Sequence, residues 1–190
     1  AHHRGEPVPP QINIDLFCNY AKDLFDLFKV DAILISCSTM NRAFKQVSAK
    51  MRPLGVPVVQ IDEAMMEQAV ESNGNILVVA THGPTVKNTQ ALLQETADRL
   101  GKSVNFTGAT VEEAFDALGE GDITRHNEII ADAIRETQQR ENFDIVVLAQ
   151  MSMTVFLFSY PDPRREFAVP VLTSGLTGFK RAGEILRRAG

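Results

Sequence analysis

Three short runs in the chain are apolar throughout rather than at alternate positions: residues 32–36, 76–80 and 145–149, all rich in Ile, Leu and Val. A strand that is apolar on both faces is one covered by helices on both sides. The pattern therefore predicts buried parallel strands. Shorter strands are predicted at 56–59 and 169–172, with Pro57 and Pro170 near their starts, and a weaker one at 103–107. Helical spacing fills the intervals. Phe17, Ala21, Leu24 and Phe28 fall at i, i+4, i+7 and i+11, which predicts one apolar stripe towards the core. Val86, Leu93, Ala97 and Leu100 form a second stripe, opened by Pro84 and stopped by Gly101. Ile129, Ile130, Ala133 and Ile134 mark a third, and residues 175–188 a closing helix with Lys and Arg towards its end. Strands alternating with helices define an α/β fold with mostly parallel sheet.

A shift of 113 positions lays the chain on itself. Residues 31–40 fall on 144–153, Arg52 on Arg165, and Val56-Pro57-Val58 on Val169-Pro170-Val171, with no gap. The strands, their spacing and the polar residues at their ends agree, which predicts two pseudo-symmetric α/β lobes facing each other, each a mostly parallel sheet flanked by helices. The expected division is a first lobe at 1–72, a second at 73–168, and a last strand and closing helix at 169–190 that return to the first lobe. The strand at 76–80 has no counterpart in the first half, so that lobe is expected to lack its first β–α unit.

Composition narrows the class. The chain has 190 residues, 44% of them hydrophobic and 23% charged, enough for a sizeable core. A net charge of -5, with no cluster of Lys or Arg, argues against nucleic acid as a partner. No apolar run approaches the roughly 20 residues of a membrane helix, and the first residues lack the apolar segment of a secretion signal. Cys18 and Cys37 are too few for a disulfide framework and suit a reducing compartment, so a cytoplasmic location is expected.

In open parallel sheets ligands collect at the carboxyl ends of strands. Three such ends are polar here: Cys37-Ser38-Thr39, Thr81-His82-Gly83-Pro84-Thr85 and Gln150-Met151-Ser152. Each precedes a predicted helix, whose first N–H groups and positive dipole end suit a carboxylate or another small anion. A thiol at such a place is activated as nucleophile or proton carrier, which makes Cys37 the chemical centre; the alternative is a small buried hydrophobe. His82 is either a second acid/base or a loop histidine that caps its helix. Thr81 and Thr85 serve as helix caps, as anion ligands, or as both.

These residues resemble the aspartate/glutamate/hydantoin racemase superfamily. The Cys37-Ser38-Thr39 turn, the pseudo-repeat, residues 61–65, Val79-Ala80-Thr81 before a helix, residues 148–153 and residues 169–173 carry the resemblance. It implies an active site between the two lobes and chemistry at a carbon next to a carboxylate, with no cofactor and no metal. It also implies a small carboxylate substrate and a dimer or higher assembly. Racemising members of that superfamily place one cysteine on each lobe; here Gln150 stands at the second position. An amide exchanges no proton near neutral pH, so three readings follow. His82 supplies the second acid/base, or the reaction needs one thiol, as in decarboxylation or cis–trans isomerisation of a small diacid, or the cleft binds a carboxylate without turnover. A cysteine hydrolase would need His82 or His126 as base, with no evident orienting partner. Ser38, Thr39, Thr81, Gly83, Thr85, Gln150 and Ser152 are the expected pocket residues, with Gln150 and Ser152 as hydrogen-bond donors to a carboxylate or enolate.

Other residues read as structural. Cys18 lies beside the first stripe, Met65 and Met66 continue a helix into the core, and Asp62 and Glu63 begin a helix where acids favour the dipole. His2, His3 and His126 lack the spacing of metal ligands. Asn105-Phe106-Thr107 is a glycosylation sequon without secretory context.

Overall fold

A computed structural model describes residues 9–38, 40–72 and 74–189. Along the chain stand α1 (Gln11–Phe28), β1 (Ile33–Ile35), α2 (Phe44–Met51), β2 (Val58–Gln60), α3 (Glu63–Glu71), β3 (Asn75–Ala80) and α4 (Gly83–Leu100). After them come β4 (Asn105–Thr110), α5 (Glu112–Gly119), α6 (Ile123–Gln138), β5 (Ile145–Leu148), α7 (Phe156–Ser159), α8 (Pro163–Phe167), β6 (Val171–Thr173) and α9 (Ser174–Ala189). Short 3₁₀ turns at Met40–Ala43 and Met151–Val155 lead into α2 and α7. All strand pairs are parallel: β1 with β2 in a small sheet, and a larger sheet in the order β4-β3-β5-β6.

The apolar runs of β3 and β5 are central strands with helices on both faces, whereas the run at 32–36 is corrected: it forms β1 of the two-stranded sheet, where Leu34 is only half-buried. Ile76, Val78, Ala80, Ile145 and Val147 pack with Met65, Met66 and Val70 of α3 and Leu93 and Ala97 of α4. From the opposite face Leu77, Val79, Val146 and Leu148 meet Ala114, Ile130, Ile134, Phe156 and Phe167. Residues 76–80 are all fully buried, each large side chain stabilising the fold by roughly 1.5–3 kcal/mol relative to exposure. The helical caps follow sequence chemistry: Gly101 ends α4 in the left-handed region at φ 63°, and Asp122 accepts the Arg125 N–H at the start of α6.

The repeat is visible in the register. Ile33 pairs with Val58 and Leu34 with Val59 in the small sheet; 113 positions on, Val146 pairs with Val171 and Val147 with Leu172. The backbone repeats as well. Gly55 and Ala168, also 113 apart, both take positive φ, 72° and 60°, before the last strand of their sheets. The protein is thus an α/β structure of two similar halves with parallel sheets flanked by helices.

Two further expectations are corrected. In α1 the buried stripe is Ile14, Cys18 and Ala21, flanked by Phe17 and Phe25, whereas Leu24 and Phe28 are 42% and 71% exposed. The helix carries apolar residues in more than one phase, and packing on α2 selects the stripe running through Cys18. Strand β4 lies at 105–110 rather than 103–107, as an edge strand paired on one side only. Its Gly108 lets α4 approach: a Cβ there would meet Val86 Cγ1 at 2.6 Å and Gln90 Nε2 at 3.2 Å. Gly108→Ala is expected to destabilise the fold by about 1–3 kcal/mol, as overpacking does, read as a lower urea midpoint with unchanged slope.

Candidate active site

All three polar segments lie just beyond the carboxyl ends of their strands: Cys37 and Ser38 after β1, Thr81 after β3, Gln150 after β5. Hydrogen bonds between side chain and backbone bring them together. Ser38 Oγ donates to the Ala149 carbonyl at 2.9 Å, joining the first strand end to the third. Gln150 Oε1 accepts from the Thr81 N–H at 2.8 Å and from Thr81 Oγ1 at 3.0 Å, joining the third to the second. A backbone N–H only donates, so the atom it meets must be Oε1. The group Gln150 can offer a ligand is therefore its Nε2 amide, a donor. Thr81→Val would remove one of the two bonds to Oε1 and is expected to cost about 0.5–1.5 kcal/mol by thermal unfolding.

Cys37 is a free, exposed thiol beside this junction. Its carbonyl accepts the Asn41 N–H at 3.0 Å, closing the turn that carries it. The expected α-helix start directly behind the thiol is corrected: a 3₁₀ turn, Met40–Ala43, intervenes, and α-helical geometry begins at Phe44. Gln150 and Ser152 likewise open a 3₁₀ turn, on which Ser152 is exposed. Only the β3 end runs straight into a long α-helix. There Thr85 and Val86 both donate back to the His82 carbonyl, at 3.0 and 3.3 Å. Pro84 has no N–H and the Thr81 N–H is engaged by Gln150, so the loop's remaining backbone donors are those of His82 and Gly83.

His82 is drawn the other way. Its ring packs on Phe115 of α5, centroids 4.9 Å apart, and lines a cleft of about 370 Å³ with Pro84, Glu112, Phe115 and Asp116. It makes no side-chain cap on α4. These contacts place it outside the bonded group of Ser38, Ala149, Thr81 and Gln150. Thr39 lies outside the described residues, as do His2 and His3. Met40 and Met153 point into the core, whereas Met151 is half-buried. Cys18 is buried, and that burial pushes its thiol pKa up. His126 is fully buried with Nδ1 2.7 Å from the Ala114 carbonyl. Among the described residues no group of three or more His, Cys, Asp or Glu stands as metal ligands would, and no helix is long and apolar enough to cross a membrane.

Sequence reasoning passed over one cluster. Asp62 does not cap α3: its side chain makes no cap bond and turns instead to Asn41, whose Nδ2 donates to Asp62 Oδ2. Both side chains are almost fully buried, at 2% and 1% exposure. Burial pushes the Asp62 carboxyl up to about 6, against the pull of Ser174 and Asn41. The Ser174 hydroxyl stands close enough to favour the carboxylate but makes no well-aligned hydrogen bond with it; among the described residues Asp62 Oδ1, Asn41 Oδ1 and Ser174 Oγ have no partner. A sequence signal did exist. Asn41 and Asp62 fall on Thr154 and Gly175 under the 113-residue shift, so the pair belongs to one half only.

A family model described as Asp/Glu/Hydantoin racemase matches residues 19–182. The chain belongs to this family. Solved structures with the same fold include a glutamate racemase isoform from Bacillus anthracis, 15% identical with a TM-score of 0.66, covering 99% of this chain and 70% of that one. The glutamate racemase from Francisella tularensis subsp. tularensis SCHU S4, in complex with D-glutamate, is 17% identical with a TM-score of 0.67, covering 96% and 66%. An unliganded arylmalonate decarboxylase is 18% identical with a TM-score of 0.65, covering 96% and 77%. The chain thus spans about two thirds to three quarters of the length of these structures. A comparison with curated proteins finds no match. Membership places the chain among racemase-like enzymes, with Cys37 on the turn after β1 and Gln150 at the matching turn after β5.

Proposed function

We propose that the protein transfers a proton at the carbon next to a carboxylate of a small amino acid or related acid, with Cys37 as the one reacting thiol and no cofactor. The observation that carries this reading is the asymmetry of the two matching turns. One bears an exposed thiol. The other bears Gln150, whose oxygen is held by Thr81, which leaves its amide N–H to donate to a ligand. In the proposed step the Cys37 thiolate takes the α-proton, and the electron pair left on carbon delocalises into the carboxylate as an enolate. The Gln150 amide donates a hydrogen bond to that developing charge, and the proton returns from the thiol. One thiol works on one face, so exchange proceeds faster than inversion unless His82 supplies the second face.

A second reading uses the same groups. In a malonate-type acid the bond between the α-carbon and one carboxylate breaks, carbon dioxide leaves, and the Cys37 thiol protonates the carbon from one side. The non-titrating Gln150 favours this reading too, and among similar structures stands an arylmalonate decarboxylase. Cis–trans isomerisation of an unsaturated diacid, by addition and loss of the thiolate, is its one-thiol relative.

The test is deuterium incorporation from D₂O, followed by NMR. The panel holds both enantiomers of aspartate and glutamate, a 5-substituted hydantoin and a substituted malonate, each with the protein and with Cys37→Ser. Cys37-dependent α-deuteration with retained configuration is the expected result. Racemisation would assign a second acid/base. Exchange that survives Cys37→Ser would sink the proposal, and carbon dioxide release from the malonate would move it to the lyase.

A further inference from the structure

We propose that Asp62 is a positioning residue for the reacting thiol: buried where the two halves meet, its carboxylate holds Asn41, and Asn41 holds the turn of Cys37. This rests on the reading of Cys37 as the reacting group. The links are consecutive. Asp62 Oδ2 accepts from Asn41 Nδ2, the Asn41 N–H donates to the Cys37 carbonyl at 3.0 Å, and the Asn41 carbonyl accepts from Gln60 Nε2 at 3.1 Å. Asn41 is thereby held by side chain and backbone alike, and Ser38, next to Cys37, is tied across to Ala149. Asn41 alone separates the Asp62 carboxylate from the Cys37 carbonyl along this path.

The pseudo-repeat shows that the fold does not itself require the pair. In the other half the matching positions are Thr154 and Gly175, packed so closely that a Cβ on Gly175 would meet Thr154 Oγ1 at 2.4 Å. That half packs a glycine against a threonine there, with no ionisable group, and carries an amide. The half that carries the thiol buries a carboxylate beneath it, with Oδ1 unpartnered among the described residues. A buried ionisable group with an unmet acceptor is destabilising, and groups of that kind gather where function requires them.

The same geometry makes the turn sensitive to protonation. The charged groups on the elements that meet there are Glu63, Glu67 and Glu71 of α3, Arg42 of the 3₁₀ turn, and Lys180, Arg181, Glu184, Arg187 and Arg188 of α9. Glu67 pairs with Arg181 at 2.8 Å and with Arg99 at 3.1 Å, and Arg42 pairs with Glu95 of α4. The upward shift at Asp62 comes from burial, opposed by Ser174 and Asn41, so none of these charges supplies it. Above that pH the carboxylate accepts from Asn41 Nδ2; below it the neutral acid holds Asn41 more weakly.

The test reads the turn rather than turnover. The alkylation rate of Cys37 by iodoacetamide, resolved from Cys18 by peptide mass, is divided by that of a free cysteine peptide at each pH from 5 to 8. In parallel, NMR follows the Asn41 side-chain amide over the same range. The expected result is an Asn41 titration with a midpoint near 6 and a change of at least threefold in the Cys37 ratio between pH 5 and 7. Asp62→Asn, which keeps the shape, and Asn41→Ala, which cuts the link, should each flatten the ratio. A purely structural carboxylate would lower the thermal midpoint without moving this profile. The proposal is overturned if the wild-type ratio is flat and the Asn41 amide does not titrate between pH 5 and 7, a result that needs no variant to fold. It is equally overturned if folded Asp62→Asn keeps the inflection. Because the thiol is read directly, failure of substrate exchange to depend on Cys37 would remove the proposed reaction and leave this measurement to stand by itself.

Discussion

Cys37→Ser is expected to lower α-carbon deuteration by about 10²–10⁴-fold, the contribution usual for one positioned acid/base group. The substitution changes one atom at an exposed position, so the fold should be untouched, and an unchanged unfolding midpoint is the control. Serine keeps the size and the hydrogen-bonding capacity of the side chain, but its hydroxyl does not ionise near neutral pH, so it can neither take the α-proton nor return it. Gln150 and Thr81 remain bonded to each other in the variant, and substrate binding should survive within a few-fold. The expected signature is therefore a loss in kcat with KM nearly constant, the mark of an interaction made in the transition state. A variant that loses exchange through KM alone would make Cys37 a binding residue. A variant that loses nothing would transfer the chemistry to another group, and His82, which faces Phe115 and the acidic residues of α5, would be examined next.

How far such a site is legible in sequence depends on which physical rule places each residue. The strand ends were legible because a strand covered on both faces announces itself as a continuous apolar run, and the first polar residue after it marks the carboxyl end; residues 76–80 followed by Thr81 are the plainest case. The repeat was legible because register is set by side-chain period, so pairs such as Ile33–Val58 and Val146–Val171 preserve their spacing even where identities are few. The buried face of α1 was not. A helix with apolar residues in two phases leaves the choice to its neighbours, and the stripe through Cys18 prevailed over Leu24 and Phe28. The bond from Thr81 to Gln150 was out of reach too, since a contact between residues 69 positions apart depends on how strand ends meet. Asp62 misled for a related reason. An acid at the start of a helix reads as a dipole partner, and only tertiary packing turns it towards Asn41.

Asp62→Asn is expected to gain stability relative to the wild type as pH rises, by about 3 kcal/mol between pH 3.5 and pH 7. The folded carboxyl is pushed up to about 6, against 3.8 for the same group free in solution, and desolvation by burial is the cause. Between those values the folded state binds a proton that the unfolded chain has released, so folding weakens as pH rises through the interval. Below it both states are protonated and the burial penalty is absent; above it both are ionised and the penalty is complete. Converting the difference at about 1.36 kcal/mol per unit gives the figure above, an order of magnitude for one buried group. Asparagine does not titrate, so the variant should show no such decline from this position. Urea unfolding of both proteins at pH 4, 5, 6 and 7 checks it: the two stability curves should diverge steadily, the variant gaining on the wild type. Parallel curves would show that Asp62 has the same proton affinity folded and unfolded, and that its carboxylate carries no burial penalty under the Cys37 turn. Diverging curves with a flattened thiol profile would mean that this half of the molecule keeps a destabilising carboxylate because it fixes the turn that carries the thiol.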